Sequence, residues 1–227
     1  MIPLRDDNKA QRVPVVTRAI ILANVLAFAF ELSLGDSLTE FMREWGVVPG
    51  RLIASFAGDT ALPVELATVL TSMFLHGGWL HLIGNMWYLW IFGDNVEDRM
   101  NPVRYLVFYL AAGAVAALVH SALLPGSPVP TVGASGAIAG VLGAYAQAYP
   151  RARVLTLVPV FFFFQVVAIP ALILLGIWFL IQFISGTLSF GSGSGGVAWW
   201  AHIAGFIFGF VTMAVMNRRR PSHAEVV

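Results

Sequence analysis

The chain has 227 residues, 58% of them hydrophobic and only 11% charged, with a net charge of +1. Soluble domains run at about 45–50% apolar and roughly 25% charged. A water-soluble globule, a disordered chain, collagen and a coiled coil are therefore excluded, and the class is integral membrane protein. The near-neutral charge argues against an electrostatic nucleic-acid binder. With no cysteine, disulfides, thiolate metal sites and a cysteine nucleophile are impossible.

A membrane-spanning helix needs about 20 mostly apolar residues. Val15 to Leu34 supplies the first, with Arg18 able to snorkel at one end. No cleavable signal peptide is expected, because this stretch is long for one and runs into Glu31 instead of a small-residue cleavage site. The segment from Gly35 to Trp79 mixes charges with Phe41, Trp45, Leu52 and Ile53, the composition of a structured loop lying in the interface. Lys, Arg, Asp and Glu are then absent from Leu66 to Gly93, from Tyr105 to Pro150 and from Val154 to Asn217. The second gap breaks at Pro125-Gly126-Ser127-Pro128-Val129-Pro130, and the third at the Gly/Ser-rich stretch Gly186 to Gly196. The expected fold is an all-α bundle of six transmembrane helices at about residues 15–34, 80–93, 103–123, 134–149, 162–184 and 197–216.

With the N-terminus inside, eleven basic residues lie on the cytoplasmic side and only Arg43 and Arg51 on the outer side. Both termini are therefore expected in the cytoplasm. The expected organisation is a cytoplasmic tail 1–14, a membrane domain 15–216 and a cytoplasmic tail 217–227. Short tails suggest a prokaryotic plasma membrane.

Polar groups inside a membrane are costly and face the protein interior. His81 and Asn85 lie four apart on one face of the second span. The fourth opens with Gly133-Ala134-Ser135-Gly136, and the sixth carries Ala201-His202-Ile203-Ala204-Gly205. All three spans start at the outer face, so Ser135, His202, His81 and Asn85 fall at one depth, in the outer third of the bilayer. Gly136 with Gly140, and Gly205 with Gly209, are small residues at i,i+4 that allow close helix approach. Such an approach would bring the Ser135 hydroxyl to the His202 imidazole, as an activated serine requires. Ser135 at a helix start also sets its own N–H and the positive dipole end near a developing oxyanion. No carboxylate lies in the last three spans, so a serine hydrolase here would use a Ser–His dyad.

Taken singly, these residues have plainer readings. Ser135 alone is a helix N-cap, His202 alone a hydrogen-bonded core histidine, and Asn85 interhelical glue. His76 with Gly77 and Gly78 reads as a shaped re-entry into the membrane, and His120 as interfacial. Asp94, Glu97, Asp98 and Arg99 read as the cap of a cytoplasmic turn, and the Phe161 to Phe164 run as lipid-facing or core.

The ordered set His76-Gly77-Gly78-Trp79-Leu80-His81-Leu82-Ile83-Gly84-Asn85, Gly93-Asp94-Asn95-Val96-Glu97, Gly133-Ala134-Ser135-Gly136 and Ala201-His202-Ile203-Ala204-Gly205 resembles the rhomboid intramembrane serine proteases. The resemblance runs from the first span to Met216. It implies a prokaryotic six-helix member with Ser135 as nucleophile and His202 as general base. Asn85, His81 and the Ser135 backbone would be the oxyanion donors, and Gly133, Gly136 and Gly205 would shape the site. It implies no cofactor and no metal. The partners would be the lipid bilayer and single-pass membrane proteins, cut near the outer end of their helix, with the site opening to the outer (periplasmic or extracellular) side. One position departs: some members carry an aromatic on the base four residues after the nucleophile, and here that residue is Ala139. The alternatives are an inactive rhomboid-like protein that binds membrane segments, a haem or metal protein, and a small transporter. Both serine and histidine are present, against the first. No matched histidine pair supports the second. No inverted repeat supports the third.

Overall fold

The computed structural model describes residues 1–160, 163–188 and 198–218. Strand β1 (Ile2–Asp6) precedes helix α1 (Val15–Ser33). Three short helices follow over the segment expected as an interfacial loop: α2 (Leu38–Trp45), α3 (Pro49–Ala57) and α4 (Leu62–Thr71). Then come α5 (Trp79–Met100), α6 (Pro102–Leu123) and α7 (Ser135–Ala148), strands β2 (Arg153–Val160) and β3 (Phe163–Pro170), and helices α8 (Ala171–Leu188) and α9 (Trp199–Arg218). Among the described residues, α1, α6, α8 and α9 are each long and apolar enough to cross a membrane. The segment 62–74 and α5, bent by 81° at the break between them, form a further span if taken as one. The chain is a mostly helical, multi-pass membrane protein.

Helix α7 has 14 residues, about 21 Å at 1.5 Å per residue, short of the roughly 30 Å hydrocarbon core. It lies inside the bundle, buried continuously from Gly136 to Ala146. Small residues make that burial possible. A Cβ on Gly140 would come 2.6 Å from the Cβ of Ala112 on α6. One on Gly205 or Gly209 of α9 would collide with the carbonyl oxygen of Gly136 or Gly140, respectively.

Two expectations are corrected. The bundle is not all-α: β1, β2 and β3 form an antiparallel sheet in that order, with Ile2 opposite Leu157 and Arg153 opposite Pro170. The fifth span does not begin near 162, because residues 163–170 are strand β3 and the helix starts at Ala171. Val154 to Pro170 is rich in β-branched and aromatic residues, which favour a pleated surface. Pro170 then stands just ahead of the helix, where a missing N–H costs nothing. The expected loop Gly186 to Gly196 falls largely outside the described residues, as do Phe161 and Phe162.

Helix α5 runs seven residues past its expected end at 93 because the charges there find partners. The Glu97 carboxylate, 2% exposed, accepts from the N–H groups of Val16 (2.9 Å) and Thr17 (2.8 Å) and from the Thr17 hydroxyl (2.8 Å). Those N–H groups are orphan donors of the first turn of α1, where a negative charge is favoured. Asp98 accepts from the Gln11 N–H, and Arg99 donates to Asn217 Oδ1 at 2.8 Å. Glu97→Ala leaves these buried donors unmet. It is expected to lower stability by about 2–3 kcal/mol, read as a lower unfolding midpoint in detergent.

Strand β1 is held by Asp6, whose carboxylate accepts from Tyr145 Oη (2.6 Å) and Asn95 Nδ2 (3.0 Å). Burial outweighs these hydrogen bonds and raises its pKa from 3.8 to about 6. The folded state thus holds this proton more tightly than the unfolded chain. Its contribution is complete below pH 3.8 and is lost as pH rises through about 6. Amide exchange of residues 2–6, corrected for intrinsic rates, is expected to be faster at pH 7 than at pH 5. Asp6→Asn should remove that difference.

Candidate active site

Ser135 is the first residue of α7, so its N–H belongs to the turn without intrahelical acceptors. The chain before it is pinned on both sides. Thr131 N–H donates to the Val47 carbonyl (2.7 Å) and Val47 N–H returns the bond to Thr131 (3.1 Å). Gly133 N–H donates to the Ser72 carbonyl at 2.8 Å. Gly133 has φ +124, a conformation open to glycine, and a Cβ there would stand 2.6 Å from His81 Nε2. That position therefore sets both the turn into α7 and the room for the His81 ring.

His202 stands in the first turn of α9, 8% exposed. Its Nε2 lies 2.8 Å from Ser135 Oγ. The glycine contacts of α7 and α9 bring these two residues, 67 positions apart, within one hydrogen bond. His202 Nδ1 is 2.6 Å from Gln182 Oε1 on α8. The Trp178 ring lies 5.9 Å from the His202 ring, centroid to centroid, inclined by 35°. With Ala139 small and buried on α7, the rings beside His202 come from α8 and from α9 itself, where Trp199 lies 6.3 Å away, inclined by 88°.

On α5, Asn85 Nδ2 lies 3.0 Å from His76 Nε2. The backbone N–H of His76 donates to the buried Glu31 carboxylate at 3.1 Å. His76 is thus not only a shaper of the re-entrant turn; its ring holds Asn85. The Gly77 N–H donates to His81 Nδ1 at 3.4 Å, which leaves the ring proton of a neutral His81 on Nε2. His81, Asn85, Ser135 and His202 line one cavity of about 1170 Å³, together with the loop from Leu124 to Val132. His120, read from sequence as interfacial, is buried and lines the same cavity. Among the described residues no group of three or more His, Asp or Glu is placed to hold a metal ion.

Chemically, the arrangement provides a hydroxyl bonded to an imidazole, a helix N-terminus at the same oxygen, and two further polar side chains across a cavity. Groups of these kinds in this geometry are able to carry out acyl transfer, which needs a nucleophile, a base and oxyanion donors. Sequence reading missed Gln182 and Trp178. Their signal is faint: a glutamine in a span without charge, one turn after a tryptophan.

Comparison with known proteins agrees with the resemblance. Residues 63–219 match the rhomboid domain family model. The chain is 36% identical over 132 residues to the rhomboid protease GluP of Bacillus subtilis, covering 58% of this chain and 24% of that protein. It is 30% identical over 159 residues to the human mitochondrial presenilin-associated rhomboid-like protein, covering 68% and 38%. To the chloroplastic rhomboid-like protein 11 of Arabidopsis thaliana it is 40% identical over 72 residues, covering 32% and 25%. The matches thus span well under half the length of these relatives. With the family model extending over more than half of the chain, and the signature residues of α5, α7 and α9 gathered at one cavity, the protein belongs to the rhomboid family.

Proposed function

We propose that this protein is an intramembrane serine endopeptidase that cuts single-pass membrane proteins near the outer end of their transmembrane helix. The observation that carries this reading is the 2.8 Å contact between His202 Nε2 and Ser135 Oγ at a cavity of about 1170 Å³. The family, and the protease among its relatives, support it.

In this mechanism Ser135 Oγ attacks the scissile carbonyl carbon while His202 Nε2 takes the hydroxyl proton. The oxyanion is met by the Ser135 N–H, by the Asn85 N–H that His76 does not engage, and by His81 Nε2–H. His202 passes its proton to the leaving amine, the C–N bond breaks, and an acyl-enzyme remains. Water, deprotonated by His202, then releases the second product. No cofactor takes part. Gly133, Gly136 and Gly205 shape the site by admitting His81, α6 and α7, respectively, at close range.

The proposed topology has six membrane-crossing helices over residues 15–216, α7 being the short internal one, with tails 1–14 and 217–227 in the cytoplasm. The cavity then opens to the outer face of a plasma membrane, and water reaches it from that side. Helical substrate backbone is shielded by its own hydrogen bonds. Substrates should therefore carry helix-weakening residues at the cut and a small side chain just before it.

The test is treatment of the detergent-purified protein with a fluorophosphonate probe, read by intact mass. One adduct on the wild type, absent from Ser135→Ala, is expected. A folded wild type that takes no label, in detergent or in lipid, would overturn the reading in favour of a non-catalytic rhomboid-like binder of membrane segments.

A further inference from the structure

We propose that Gln182 is a positioning residue for the base: its side-chain carbonyl holds the imidazole proton on His202 Nδ1 and so keeps Nε2 open to the Ser135 hydroxyl. This inference rests on the reading of Ser135 and His202 as nucleophile and base. A neutral imidazole carries its proton on either nitrogen, and only the Nδ1–H form accepts the serine proton. His202 Nδ1 lies 2.6 Å from Gln182 Oε1 and His202 Nε2 lies 2.8 Å from Ser135 Oγ. The two bonds are compatible in one direction: Nδ1–H donates to the amide oxygen, and Nε2 accepts from the hydroxyl.

Both partners are buried, Gln182 at 6% and His202 at 8% exposure, and the two contacts take up both ring nitrogens of His202. A neutral amide gives this orientation without placing a second charge in an apolar interior, where an ion is costly. That accounts for a base held on three sides in spans that contain no carboxylate. The same helix supplies the nearer of two aromatic contacts: Trp178 and Gln182 lie one turn apart, on the face of α8 that also buries Leu174 and Leu175. The opposite face of α8 exposes Leu172, Ile173, Ile177, Leu180 and Ile181. The tautomer and the tilt of the His202 ring thus both depend on the seating of α8 against α9.

The test uses the full chain and the saturable rate of inactivation by a fluorophosphonate. In that reaction Ser135 Oγ displaces fluoride from phosphorus and His202 takes the hydroxyl proton. Gln182→Met removes the acceptor at similar volume, and Gln182→Glu restores it as a carboxylate. The titratable groups that face His202 are Ser135 from α7, His81 from α5 and His120 from α6; α8 and the rest of α9 up to Asn217 carry no charge. Gln182→Met should lower the maximal inactivation rate about 10–100-fold with half-saturation unchanged, by analogy with the loss of partners that orient metal-bound histidines. Gln182→Glu should recover most of that rate and move the acid limb of the pH profile upward by about one to three pH units, as a carboxylate beside an imidazolium does.

Wild-type rates and profiles in both variants would overturn the positioning role. So would a Gln182→Glu protein as slow as Gln182→Met, since the carboxylate restores the acceptor oxygen on which the proposal depends. If Gln182→Met does not fold, Gln182→Glu decides by itself: an unmoved acid limb overturns the proposal. A wild type that takes no label overturns the activated-serine reading, and the positioning role falls with it.

Discussion

Ser135→Ala is expected to lose turnover by at least about 10⁴-fold, and His202→Ala to lose as much. The two side chains act on one proton across a 2.8 Å contact, so neither retains its function without the other. The double variant should accordingly be no slower than either single one, because groups that act as a unit do not add. Cleavage of a transmembrane substrate with a small residue at the cut, reconstituted in liposomes, measures this. Ser135→Ala removes one hydroxyl, so its unfolding midpoint should move little; His202→Ala also empties the space of a buried ring and should lower the midpoint. Wild-type turnover in Ser135→Ala would end the proposed mechanism. Additive losses in the double variant would mean that the serine and the histidine serve separate steps.

Gly205→Ala should be nearly as damaging by a different route. The added methyl would overlap the Gly136 carbonyl oxygen, approach the carbonyl carbon to 3.1 Å and meet the Ala139 Cβ at 3.4 Å. The obstacle is backbone at the start of α7, which has no rotamer to change. Relief requires α9 to move away from α7. Gly136 is next to Ser135, and Gly205 is one turn from His202, so that motion opens the Ser135–His202 contact directly. Displacements of about 1 Å at reacting groups cost on the order of 10²-fold in rate. Overpacking costs about 1–3 kcal/mol in stability. Activity should therefore fall at least about 100-fold, together with a lower unfolding midpoint. Gly176→Ala is the control, because nothing stands within 4 Å of its Cβ position. It should leave activity unchanged and leave stability equal or slightly raised, as alanine is the better helix former. Equal behaviour of the two variants would show that the α7–α9 contact does not set the site.

Much of the helical frame was readable before any fold was known. Charge placement marks where a chain can cross lipid, and this is a local property. The ranges near α1, α6 and α9 follow from it within a few residues. The rhomboid resemblance was equally readable, because its signatures are short runs of neighbouring residues in a fixed order. The start of the fifth span was not. Val154 to Pro170 is as free of charge as any helix in the bundle, and hydropathy measures how apolar a run is, not whether it pairs as strand or coils as helix. The extension of α5 was hidden for the converse reason. Glu97 reads as a stop until its three donors from α1, some 80 residues earlier, are in place.

Within the site, residue types were visible and partners were not. Ser135 and His202 could be matched by depth because both sit at the starts of their helices. Gln182, Trp178, and the bonds from Glu31 to His76 and from His76 to Asn85 join residues between 9 and 45 positions apart. Nothing along the chain distinguishes those polar side chains from others of their kind. Sequence therefore specifies which groups must leave lipid and where the chain can cross it. The direction of each hydrogen bond, and hence which imidazole nitrogen is open to the serine, depends on how closely α5, α7, α8 and α9 pack, because a proton is held by geometry across helices.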